Sequence, residues 1–223
     1  MESQVPPGLE SLLDGLNFTV VEEGGSGNWT EYSASKRFTN AFLVDEGANK
    51  ILLGYKKRGF AQGIYNGFGG KVDPGETSIQ AAHRELDEEA QVQAPLQHCG
   101  VLLFYQNGHE YAHEIDLYRA ETWTGIPTET EEMKPRWFDI PPPTSDFIAL
   151  AQQLKRDDGV EEETKVETMP LHRMWKDDML WMPLFLSKRR FVGRVDLVDP
   201  NQGDTQKSLL HPLVKWWIAV LDS

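Results

Sequence analysis

The chain has 223 residues, 39% hydrophobic and 26% charged, the composition of a soluble globular protein long enough to bury a core without cross-links. Its net charge of -13 argues against general affinity for nucleic acid backbones, and no apolar run reaches the roughly 18 residues of a membrane span. The single cysteine, Cys99, excludes an internal disulfide and a thiolate zinc site, and no Lys or Arg precedes Lys36, so a chain without a targeting leader, working as a monomer in the cytosol or nucleus, is expected.

In chain order, residues 1 to 36 read as an N-terminal tail, rich in Gly, Ser and Glu around Glu22 to Gly27, with a short apolar stretch at Leu9, Leu12, Leu13 and Leu16. The folded domain is expected over 37 to 223. Phe38 to Val44 and Ile51 to Tyr55 are strand-like and flank the turn residues Asp45 to Asn49, which predicts a hairpin. Glycines at 59, 63, 67, 69 and 70 make the next stretch a loop. Thr77 to Gln80 matches a capping box, and Ile79, Ala82, Leu86 and Ala90 give the following helix an apolar stripe. Val101 to Tyr105 and Ile115 to Tyr118 predict strands around Asn107-Gly108, and Arg136 to Phe138 a short further one. After three prolines, Phe147, Leu150, Ala151 and Leu154 mark an amphipathic helix, and with the charged Glu161 to Glu167 they make 141 to 168 an expected insertion. A third helix is expected within Asp178 to Lys188, its start limited by Pro183, then a strand over Phe191 to Val198 and a terminal helix after Pro212. Few helices among many strands predict an α+β fold, a mixed sheet covered on both sides.

Glu85, Glu88 and Glu89 stand at i, i+3 and i+4, so one face of the capped helix carries three acids. Like charges at those offsets repel, and a divalent cation such as Mg2+, which takes hard oxygen ligands and leaves positions for phosphate, would relieve them. Lys56-Lys57-Arg58 is a basic cluster in an acidic chain, readable either as a local phosphate site or as a solvated strand end. Asp177 and Asp178 could cap the next helix or, as adjacent carboxylates sharing one proton, present a donor and an acceptor to a ligand.

Gly70, Glu76, Arg84-Glu85-Leu86, Glu88-Glu89 and Val92 follow the spacing G-x5-E-x7-R-E-U-x-E-E-x-G-U, in which U is apolar, and so resemble the Nudix box. Gln91 alone departs from it, standing where the family has a helix-ending glycine. The segments Gly54 to Phe60, Asn66 to Lys71, Glu132 to Phe138 and Met174 to Asp178 further resemble the branch of the family that hydrolyses oxidised purine nucleoside triphosphates. The tail and the 141 to 168 segment have no counterpart in that resemblance.

The resemblance implies a Nudix fold, an α/β/α sandwich around a mixed sheet, and Mg2+-dependent conversion of nucleotides such as 8-oxo-dGTP and 2-oxo-dATP to monophosphate and pyrophosphate. Mn2+ is an alternative metal. It implies a metal set of Glu85, Glu88, Glu89, Glu132 and the Gly69 carbonyl, with Arg84 orienting a neighbouring acid and Glu85 or Glu89 taking a proton from the attacking water. It further implies base and nucleotide contacts from Thr39, Lys56, Phe60, Asn66, Phe104, Trp175, Asp177 and Asp178, with Trp175 and Phe60 stacking on the purine. Core packing is the alternative for each aromatic. His113 departs from the apolar residue of that branch. A Nudix hydrolase for ADP-ribose or a diphosphoinositol phosphate, and a non-catalytic nucleotide- or protein-binding module, are the competing functions.

Overall fold

The structure, a computed structural model, describes residues 4–59, 61–106, 110–143, 145–150, 168–197 and 213–222. Among the described residues, helices α1 (Glu10–Leu13), α2 (Ser78–Ala90) and α3 (Asp178–Leu186) and a 3-10 turn at Leu171–Arg173 accompany nine strands. These are β1 (Phe18–Gly25), β2 (Ser35–Asp45), β3 (Lys50–Lys56), β4 (Tyr65–Asn66), β5 (Gln97–Gln106), β6 (Ala112–Ala120), β7 (Met133–Asp139), β8 (Phe191–Leu197) and β9 (Leu213–Leu221). They form one sheet in the order β1-β9-β8-β5-β6-β2-β3-β4, with β7 on the other edge of β3. β2 runs parallel to β6 and β5 parallel to β8, while the remaining pairings are antiparallel, so the sheet is mixed as expected.

Alternation along the strands assigns side chains to two covers. Phe42, Val44, Ile51, Leu53, Leu102, Phe104, Phe191 and Ile218 face the side where Trp181, Met182 and Phe185 of α3 pack. Leu43, Leu52 and Ala120 face the other side, against Leu86 and Ala90 of α2. The far half of that second side, Leu103, Tyr105, Val192, Trp217 and Ala219, lies beyond α2 and is covered by Leu9 and Leu13.

That cover corrects the reading of residues 1 to 36 as a tail. α1 supplies a buried leucine, β1 extends the sheet beside β9, and Arg194, fully buried, donates to the Pro7 and Thr30 carbonyls at 2.7 and 2.6 Å. The terminal helix expected after Pro212 is also wrong, since Leu213–Leu221 is a strand. Pro183 does not limit α3 either: it sits inside a helix that starts five residues earlier, with Asp178. In the 141 to 168 segment, residues 147–150 are helical and Phe147 is buried in the core, so its described part is not mere surface. The helix positions from Ala151 onward, Glu161 to Glu167, the Asn107-Gly108 turn and Phe60 lie outside the described residues.

The site arises where β2 and β3 part company. They pair only over Leu43 to Asp45 and Lys50 to Leu52, and the glycine loop then enters between them. Asn66 pairs with Gly54 on one side, while Phe68 and Lys71 bridge to Ala41 and Phe38 on the other. Glycine is required there at Gly69, where a Cβ would lie 1.9 Å from the Thr39 carbonyl oxygen.

Candidate active site

A cavity of about 500 Å³ opens on the α3 side of the sheet at this point. β2 contributes Phe38, Thr39 and Asn40, the glycine loop Asn66, Gly69 and Gly70, and the start of α3 Trp175, Asp177, Asp178 and Trp181. Lys56, Phe104 and Glu132 also line it, so predicted residues from six separate parts of the chain meet in one place.

The polar groups inside are unevenly satisfied. Asp178 accepts from the Trp175 backbone N–H at 3.1 Å, and Asp177 accepts from Trp181 Nε1 at 3.3 Å through Oδ2. Asp177 occupies the N-cap position of α3 without a side-chain capping bond, so capping does not account for the pair. Burial raises both carboxyls, Asp177 to about 6, and Asp178 well above the ordinary range with the neighbouring Asp177 charge adding to the effect. Raised together in this way, the two carboxyls favour sharing a proton, with which the pair offers both a donor and an acceptor. Asp177 Oδ1, Thr39 Oγ1 and Asn40 Oδ1 are buried around the same cavity with no hydrogen-bond partner among the described residues. Such groups cost free energy unless something polar meets them.

The aromatic wall is partly as expected. Trp175 and Phe104 both line the cavity and meet edge to face at 5.6 Å between ring centres, while His113 completes that side. Phe60, the other stacking candidate, lies outside the described residues. Asn40 and Trp181 were missed. An amide beside Thr39, in a run from Phe38 to Val44 that is apolar elsewhere, was a legible signal for Asn40; Trp181 reads as core in any sequence.

The acidic face of α2 lies beside the cavity, and every acid on it is engaged. Arg84 grips Glu76 through two hydrogen bonds of 3.0 Å and reaches Glu85 at 2.8 Å and Glu88 at 3.2 Å. Glu89, 3% exposed, accepts from the Gly69 N–H at 2.9 Å and from Lys56 Nζ at 3.0 Å. Glu132 receives Arg58 at 2.6 Å and Lys56 at 3.5 Å. Lys57 bonds Glu129, so the basic cluster faces acids of its own chain. Burial lifts the Glu85 and Glu89 carboxyls above the usual range against the pull of Arg84 and Lys56 respectively, whereas in Glu132 the cations outweigh burial.

Comparison with known proteins agrees with this geometry. A profile of the NUDIX domain matches residues 36–146. An oxidized purine nucleoside triphosphate hydrolase of Danio rerio is 39% identical over 160 residues, covering 71% of this chain and 85% of the relative. The protein of the same name from Mus musculus is 33% identical over 170 residues, covering 76% and 91%. The chain belongs to the Nudix family. Its fold is that of a MutT protein from Bacillus halodurans, matched with a TM-score of 0.54 at 16% identity over 82% of this chain and 97% of that one. The Nudix helix is α2, and its left-handed end is retained with Gln91 in place of glycine, at φ 59° and ψ 37°.

Nudix hydrolases generally use divalent metal cations. Among the described residues no three His, Cys, Asp or Glu side chains are gathered as a ready ligand cluster, since Arg84, Lys56 and Arg58 hold the acids. The donor set nevertheless suits such an ion. Glu85, Glu88, Glu89 and Glu132 line one cleft, Glu85 lies where a Cβ on Gly70 would meet it at 2.4 Å, and its half-buried carboxyl lacks enough positive charge to offset burial.

Proposed function

We propose that this Nudix hydrolase acts on oxidised purine (deoxy)nucleoside triphosphates, 8-oxo-dGTP and 2-oxo-dATP among them, and releases the monophosphate and pyrophosphate. The observation that carries the reading is the buried Asp177 and Asp178 pair, which shares the cavity with Asn66, Trp175 and Phe104. One carboxyl donates and the other accepts, so two different purine edges find complementary partners. Trp175 and Phe104 give the ring an apolar wall, and Thr39 Oγ1 supplies a further polar contact.

Glu85, Glu88, Glu89, Glu132 and the Gly69 carbonyl would hold Mg2+, which when bound supplies positive charge against the polyphosphate and lowers the pKa of coordinated water. Arg84 keeps Glu85 and Glu88 oriented, and Lys56, at the junction of cavity and cleft, is placed to follow a phosphate oxygen. The proton of the attacking water goes to Glu85 or Glu89, whose raised pKa values bring a carboxylate nearer to the working pH. This work belongs in the cytosol or nucleus, where nucleotide pools are kept free of oxidised bases.

The purified chain with Mg2+, presented with 8-oxo-dGTP, 2-oxo-dATP, dGTP, dATP, ADP-ribose and a diphosphoinositol phosphate, tests this directly. Chromatography should find monophosphate and pyrophosphate from the oxidised purines first, and no products after EDTA. Turnover of ADP-ribose or the diphosphoinositol alone would overturn the assignment, and no turnover of any of them would favour a binding module.

A further inference from the structure

Asn40, like Thr39 and Asp177, brings to the cavity a buried polar atom that packing does not explain. Its Nδ2 donates to Asn66 Oδ1 at 2.8 Å, and the Gly67 backbone N–H donates to the same oxygen at 2.9 Å. A backbone N–H can only donate, so Gly67 fixes which end of the Asn66 amide faces it. Asn66 Oδ1 is thus the acceptor of both bonds, its two lone pairs are taken, and the Asn40 atom opposite it has to be the amino group. Two consequences follow from that geometry. Asn66, a wall residue of the cavity, keeps only its Nδ2 hydrogens for a ligand. Asn40 in turn buries its own Oδ1 without a partner among the described residues, packed where a Cβ on Gly67 would stand 2.2 Å away. An unsatisfied buried carbonyl is unfavourable, so stability alone would prefer an apolar side chain at this strand position, which is 8% exposed.

We propose that Asn40 is a positioning residue for base recognition: it locks the Asn66 carboxamide with its amino group as a donor toward the cavity. The inference rests on the reading of the cavity as a purine site and deepens it. With Asn66 a donor only, the purine edge that meets it has to present an acceptor, a carbonyl oxygen or an unprotonated ring nitrogen. An exocyclic amine in that place would set donor against donor. The Asp177 and Asp178 pair is adaptable and the Asn66 amide is fixed, so discrimination between carbonyl-edged and amine-edged oxidised purines originates in the amide that Asn40 and the Gly67 N–H hold between them.

Two substitutions separate this role from a structural one. Asn40→Leu keeps the branched outline of the side chain, removes the donor and also removes the orphaned acceptor. It is expected to leave the thermal midpoint unchanged or raised, while KM for 8-oxo-dGTP rises roughly tenfold, the worth of one lost hydrogen-bonded constraint, with little change in kcat. Asn40→Asp places an acceptor against Asn66 Oδ1 and drives the amide to turn. It is expected to shift the kcat/KM ratio of 8-oxo-dGTP to 2-oxo-dATP by roughly tenfold toward the amine-edged base. Wild-type turnover of both nucleotides with an unchanged ratio and KM in both variants would overturn the role of Asn40 alone. A wild-type protein inert toward both nucleotides would overturn the purine reading, and this inference with it. A lowered midpoint for Asn40→Leu with unaltered KM would show that Asn40 is there for packing.

Discussion

Asp177 is the residue at which stability and the proposed recognition conflict most visibly. Its carboxyl titrates at about 6 in the folded chain against an ordinary 3.8, so the folded state holds the proton more tightly than the unfolded one. Its contribution to stability is therefore full below the unfolded pKa and is lost as the pH climbs from about 4 through 6. Asp177→Asn, which can still accept from Trp181 Nε1, escapes that loss. It should be more stable than the parent by on the order of 1 to 3 kcal/mol at pH 8, with the difference gone by pH 4, as read from urea unfolding at the two pH values. The same variant removes the shared proton, so the ranking of 8-oxo-dGTP, 2-oxo-dATP and the normal purines should change; an unaltered ranking would take Asp177 out of base reading. Glu88 behaves oppositely. Its side chain is 59% exposed and held by one 3.2 Å contact to Arg84, so little of the fold depends on it. Glu88→Gln should keep the thermal midpoint within about 2 °C and lower kcat by a hundredfold or more, roughly the loss seen when one transition-state electrostatic group is removed. Full activity in that variant would exclude Glu88 from the metal site.

At the level of elements, α2 was legible from end to end because each of its signals is local. Thr77 and Gln80 form the reciprocal capping box, the stripe through Leu86 and Ala90 packs as its spacing predicts, and Arg84 reaches acids within one or two turns. Gln91 is its one strained point, since a side chain in the left-handed region meets its own backbone. Gln91→Gly should therefore stabilise by about 1 kcal/mol, raising the midpoint by roughly 2 to 4 °C without altering kcat. No gain would mean that the Gln91 side chain offsets its strain through contacts of its own. The pairing of Asn40 with Asn66 was illegible for the converse reason: it depends on where a glycine loop enters a divided sheet, which no spacing encodes. The terminal segment misled through composition. Leu213, Val214, Trp217 and Leu221 mark a helical stripe, yet Trp217 and Ile218 are buried on opposite covers of the sheet. A strand covered on both faces has no alternation by which to recognise it.

On the scale of the whole molecule, sheet width explains the N-terminal segment. α2 covers β2, β3 and β6, but β8 and β9 carry the sheet past its reach, and Val192, Trp217 and Ala219 there need another cover. Leu9 and Leu13 provide it, and β1 closes the β9 edge. Nothing near residue 9 in the sequence announces this, because its partners run from Leu103 to Ala219, far downstream, and β1 has one solvent face with few apolar residues. Arg194 ties the parts together, bonded to Asp196 at 2.9 Å, to the Pro7 and Thr30 carbonyls, and lying 4.8 Å from the Trp29 ring centre. If the segment is integral, Leu9→Ala, at a fully buried position, should cost about 2 to 4 kcal/mol in equilibrium urea unfolding. A dispensable tail would show a change within about 0.5 kcal/mol. Leu9 contacts the Leu103 face of β5, whereas the cavity is built on the opposite Leu102 and Phe104 face. Turnover by Leu9→Ala, measured well below its midpoint, should therefore match the parent, and a loss of kcat under those conditions would mean that the N-terminal cover also shapes the site across the sheet.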